Sequence, residues 1–170
     1  MIVVPIELLR QGYELNTKRI AETFAKLSET ERHFRPFGNV NSFVWELGHL
    51  NFTRNTLIKL LNPAEKLTVI PGERDLFGFG SQPQAPEAYP HPDDLLAAFQ
   101  ARGVRLVELL GTVSEEYWLA PSPYPFPNMP PTVVGQVFGL LLHERMHLGE
   151  MNVLRNIVVK NREALFGQGV

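Results

Sequence analysis

Four stretches of this chain carry apolar residues at helical spacing, and the segments between them are broken by proline and glycine. No other feature limits the fold as strongly. The first stretch runs from about Pro5 to Leu27, where Leu8, Leu9, Leu15, Ile20, Phe24 and Leu27 form a stripe. The second runs from about Ser42 to Leu61, with Asn41 or Ser42 as its cap and Asn62-Pro63 as its stop. The third begins at Pro92, with Asp93 and Asp94 placed well against the helix dipole, and stops at Gly111. The fourth and longest runs from Thr132 to about Val159 and holds Gly135, Gly139 and Gly149, which suit close packing or space beside a site.

The remaining segments, 28–40, 62–91 and 112–131, read as connections. In 62–91, the residues Leu67, Val69, Ile70, Leu76, Phe77 and Phe79 call for burial, so this connection is expected to be ordered. No segment alternates in the manner of a β-strand. The expected fold is therefore all-α, a four-helix bundle in a single domain over 1–170. The short loop between the first two helices suits antiparallel neighbours. Extended chain spans ~3.3 Å per residue, so segment 62–91 can run back along a helix and leave the second and third helices parallel. That order is up-down-down-up.

Composition narrows the function. A chain of 170 residues supports one well-buried core. A net charge of -2 gives no reason to expect nucleic acid or a membrane surface as partner. With no cysteine, a disulfide scaffold, a thiolate zinc site and a cysteine nucleophile are all excluded. No apolar run approaches the ~20 residues of a membrane span. The start, Met1 to Arg10, lacks the pattern of a secretory leader, and the chain reads as cytoplasmic.

The chemistry points to histidine. His143 and His147 stand at i and i+4 in Leu140-Leu-Leu-His143-Glu-Arg-Met-His147-Leu-Gly-Glu150, which puts both imidazoles on one helix face. Such a pair can ligate one metal ion; imidazole suits zinc, nickel, copper and iron alike. His49 lies near the middle of the second helix, at the depth of the pair in the fourth, and is the third ligand that a bundle core can supply. His33 beside Arg32 and Arg35 reads as a surface residue, and His91 before Pro92 as a capping or surface residue.

Asn41-Ser-Phe-Val-Trp45-Glu-Leu-Gly-His49-Leu resembles the first-histidine segment of the DinB/YfiT-like superfamily. His143-Glu-Arg-Met-His147-Leu-Gly-Glu150, followed by Leu154-Arg155, resembles its second. The resemblance covers nearly the whole chain. It implies a metal-binding four-helix domain, typically a homodimer, with ligands at His49, His143 and His147. The family includes thiol-dependent S-transferases and a maleylpyruvate isomerase. Leu148 stands where a basic residue is common, and Glu150 where Gln is common.

The expected function is a metal-dependent enzyme that transfers a low-molecular-weight thiol to a small electrophile, or a related hydrolase. Zinc or nickel is the first expectation for the metal, with iron or manganese as alternatives. Three neutral histidines leave the ion its full charge, so it can lower the pKa of a thiol or water. Glu150, three residues after His147, is expected to orient an imidazole or move a proton, and Glu144 is the other nearby carboxylate. Trp45 and Gln136 are candidates for lining the same cavity. A non-catalytic, metal-stabilised, stress-related binding domain is the alternative. A zinc protease of the His-Glu-x-x-His type is a minor one: His143-Glu144-Arg-Met-His147 matches that pattern, but no preceding sheet is expected.

Overall fold

In the computed structural model, residues 4–167 are described, and among them the secondary structure is helical with no strand. Met1–Val3, part of the stretch read as lacking a leader, lie outside the described residues, as do 168–170 at the end of the expected domain. The four long helices are α1 (Ile6–Phe24), α3 (Phe43–Leu61), α5 (Pro92–Leu110) and α7 (Val133–Lys160). Short helices sit in the connections: α2 (Glu29–Arg32), α4 (Glu73–Phe77), α6 (Glu115–Leu119) and α8 (Arg162–Phe166).

The long helices begin where local chemistry starts them. Ser42 Oγ accepts from the Trp45 N–H at 3.2 Å, and Thr132 Oγ1 from the Gly135 N–H at 3.2 Å. His91 Nδ1 accepts from the Asp93 N–H at 3.3 Å, so this histidine caps α5. Helix α2 falls in a segment read as loop. Its signal was present as a capping box, in which Ser28 and Glu31 each satisfy the other's backbone N–H.

Packing joins α1 to α5 and α7, and α3 to the same two helices. The first two long helices thus meet across the middle instead of lying side by side as their short connection suggested. Phe24 of α1 touches Phe43 of α3 with ring centroids 5.9 Å apart, and Arg54 Nη2 of α3 donates to Thr17 Oγ1 of α1 at 2.9 Å. The connection carries α2 and is long enough to make that crossing.

Two apolar clusters fill the interior. One gathers Leu9, Tyr13, Leu57, Leu106 and Val137 with their neighbours; the other gathers Ile20, Phe43, Leu47, Leu95, Phe99 and Met151 with theirs. Between them runs a polar layer. Arg54 is 0% exposed and Glu144 1% exposed; Nε and Nη2 of Arg54 meet both carboxylate oxygens at 2.7 and 3.1 Å. Arg54 Nη1 donates to the Phe99 carbonyl at 2.8 Å, and its guanidinium lies 3.5 Å over the Phe99 ring. Asn16 Nδ2 adds a third contact to Glu144 at 3.1 Å. A second buried pair, Arg102 with Glu73, ties α5 to α4.

The long connections depart from expectation in detail. Phe77 is fully buried, and Leu67, Ile70 and Leu76 are partly so; Val69 is exposed, and Phe79 is 103% exposed. Phe77 fills the space against Gly48 of α3, with Ile70 and Leu76 packed on the same cluster, and two residues later Phe79 lies at the surface. In the connection before α7, Tyr124 is half exposed. Gln136 binds the Phe126 N–H at 2.8 Å and the Pro130 carbonyl at 2.6 Å, pinning the proline-rich segment to α7 instead of lining the histidine site.

Candidate metal centre

Helix α3 presents His49 and α7 presents His143 and His147, and the three side chains meet. His143 Nε2 lies 3.3 Å from His49 Nε2 and 3.0 Å from His147 Nε2. All three ligand atoms lie within 4.8 Å of one another.

The outer ring nitrogens decide the tautomers. His49 Nδ1 is 2.7 Å from the Phe77 carbonyl, which can only accept, so Nδ1 carries the hydrogen and Nε2 keeps its lone pair. His147 Nδ1 meets the Glu46 carboxylate and lies 3.1 Å from Glu150 Oε2, with the same consequence. A hydrogen on His143 Nε2 can serve one of the two facing lone pairs; a cation would serve all three. His143 Nδ1 is buried and has no protein partner. Tetrahedral zinc with Zn–N near 2.0–2.1 Å sets its nitrogen ligands roughly 3.3 Å apart. The donor set and its spacing therefore fit a divalent metal.

Local packing holds this arrangement. Trp45 stacks on His49 with centroids 5.0 Å apart and planes 5° apart, and its Nε1–H donates to Ser81 Oγ at 3.0 Å. Gly48 lets the Phe77 ring lie against the α3 backbone; a Cβ there would sit 2.2 Å from ring carbon Cε1. That contact brings the Phe77 carbonyl onto His49.

Protonation follows the setting. Burial, then the neighbouring His147 and His49, pull His143 down to about 3. Burial also lowers His49, outweighing its bond to Phe77. Burial acts downward on His147 too, but Glu46 and Glu150 outweigh it and hold the imidazole above its ordinary value. Burial and the Glu46 charge push Glu150 up.

Glu150 stands at the site, 51% exposed. Glu144 does not stand beside the imidazoles as expected: it is buried on Arg54. Its position, about 100° round the helix from His143, turns it away from the imidazoles, and Arg54 of α3 meets it there. The zinc-protease pattern thereby loses its general base. Glu46 was missed by the reading of the sequence. Its signal was spacing, since it lies three residues before His49 and so shares that helix face.

The sequence pattern of the DinB superfamily matches residues 13–151, which include every residue of the cluster. This chain belongs to the DinB superfamily. None of the curated proteins matches it. Among solved structures, a conserved protein from Enterococcus faecalis is similar at 17% identity and a TM-score of 0.71, over 94% of this chain and 99% of that one. At that identity the likeness speaks to the fold alone. A DinB-superfamily chain with a buried His/Glu cluster of this form can hold a metal ion. Among the described residues, no helix is long and apolar enough to cross a membrane.

Proposed function

We propose that this DinB-superfamily chain is a metal-dependent enzyme that transfers a low-molecular-weight thiol to a small electrophile, with a hydrolase as its nearest variant. One observation carries the reading: three imidazoles from two helices turn their Nε2 atoms inward while protein acceptors hold two Nδ1 atoms outward. A divalent cation there, zinc or nickel first, would supply Lewis acidity toward a thiol or water.

The chain's own residues do the rest. Phe77 and Glu46 orient His49 and His147, and Trp45 covers one face of His49. Glu150, half exposed and beside His147, is the carboxylate placed to hold a proton. The chain is cysteine-free, so a sulfur nucleophile comes from a small molecule.

We read the architecture as an up-down-down-up four-helix bundle. Tyr13 to Val137, Asn16 to Glu144 and Thr23 to Asn152 advance together along α1 and α7, as Asn51 to Leu95 and Arg54 to Phe99 do along α3 and α5. A cytoplasmic homodimer completes the reading; Phe138 and Leu142, 50% and 53% exposed on α7, favour a second copy there.

Metal analysis of protein purified without a polyhistidine tag tests the centre. We expect about one equivalent in wild type and loss in His49→Ala, as for a three-ligand site. Equal metal in both would overturn it. Thiol-transfer assays across several cosubstrates test the reaction, and inactivity with all of them while metal stays bound would favour a binding domain.

A further inference from the structure

Between α7 and the chain that leads into α3 lies a groove of about 560 Å³. That volume falls within the roughly 300–1,000 Å³ of small-molecule sites. Phe37, Val40, Val153 and Ile157 are among its walls, and toward His147 the lining ends in Glu46 and Glu150. No Lys or Arg is part of that lining. Gly149 also borders the groove, and a Cβ there would meet nothing within 4 Å, so the missing side chain leaves the space open.

The two carboxylates are not equally satisfied. Both reach His147 Nδ1, and one N–H serves one carboxylate fully. Glu46, 3% exposed, lies deeper and takes the closer contact. Glu150 keeps acceptor capacity at the edge of an apolar groove. Glu150 is 51% exposed, so water meets that capacity in the free protein, and the lining offers the amides of Asn39 and Asn41 but no basic side chain to neutralise the charge. A cationic donor from outside the chain would replace that water and complement the charge.

We propose that this groove receives the organic substrate of the centre, and that this substrate is an amine with an apolar body: the body lies along Phe37, Val40, Val153 and Ile157, and the ammonium N–H groups donate to Glu150. The proposal rests on the reading of the centre as one that acts on a small molecule, and it names the class. Anionic substrates meet two carboxylates there and are disfavoured.

Calorimetric titration of n-hexylammonium, hexanoate and 1-hexanol tests it, using metal-free and zinc-loaded protein. Removing zinc prevents hexanoate from binding simply as a metal ligand. In metal-free protein we expect n-hexylammonium to bind at least about tenfold more tightly than the other two, a difference of roughly 1.4 kcal/mol. Glu150→Gln should erase that preference. Gly149→Leu should fill the groove and abolish binding of all three probes while keeping the zinc and gaining thermal stability, since Leu replaces Gly within a helix.

Equal or tighter binding of hexanoate, a preference that survives Glu150→Gln, or wild-type binding by Gly149→Leu would each overturn the proposal. So would no binding of any probe, amine binding that appears only on dilution of a dimer, or a second zinc equivalent that Glu150→Gln removes. The two readings fail separately: zinc on the histidines without amine preference leaves the centre standing, and amine preference without zinc binding leaves the groove standing.

Discussion

The carboxylate of Glu46, on α3, accepts from the Nδ1–H of His147, on α7. This bond joins two helices and fixes which ring nitrogen of His147 faces the other imidazoles. Replacing such a partner of a metal-binding histidine costs roughly 10–100-fold in affinity. We expect Glu46→Ala to weaken zinc binding by about that factor, and Glu46→Gln, which keeps an acceptor oxygen, by less. Competition against a chelator measures it; identical affinity in Glu46→Ala and wild type would show that the bond has no such role.

Gly48 and the Phe77 ring make a contact that no side chain at position 48 can share. Gly48→Ala should cost roughly 1–3 kcal/mol, as overpacking in a core does. It should also weaken zinc binding, because the Phe77 carbonyl that holds His49 has to move. Denaturant unfolding with and without zinc separates the two effects. A variant as stable as wild type would show that Phe77 yields easily.

Arg54 and Glu144 form a buried pair in the polar layer. Arg54→Ala leaves a carboxylate uncompensated and should destabilise the fold by about 3–5 kcal/mol. Glu144→Gln should keep its full zinc complement. Loss of zinc in that folded variant would return Glu144 to the metal site.

In metal-free protein, His143 and His49 bind fewer protons folded than unfolded, because burial lowers both from the ordinary 6.5, His143 to about 3. Their contribution is complete above about pH 6.5 and declines as pH falls toward 3. His147 is raised and acts in the opposite sense, its contribution lost as pH rises through its folded value. His143→Asn should flatten the rise of Tm with pH across this window. A profile as steep as wild type would place the proton linkage elsewhere.

Much of this was legible in residue order. Helical periodicity and the caps at Ser42 and Thr132 are local, so the long helices could be read within a few residues. The i, i+4 pair of His143 and His147 needed no fold at all, and His49 needed only a shared depth. Burial of Glu144 was not legible, because its face depends on Arg54 arriving from α3, ninety positions away in the chain. Nor was the exposure of Phe79, which turns on Phe77 having taken the place against Gly48.

By itself, then, the sequence determined four helices, a cysteine-free histidine chemistry and membership of a superfamily, all of which rest on short-range pattern. Tertiary structure alone decided which nitrogen each imidazole turns inward, which carboxylate serves His147, and where a groove opens beside it. Those depend on a backbone carbonyl at Phe77 and a carboxylate at Glu46 that reach the imidazoles only once the helices pack, and linear spacing carries no record of such convergence.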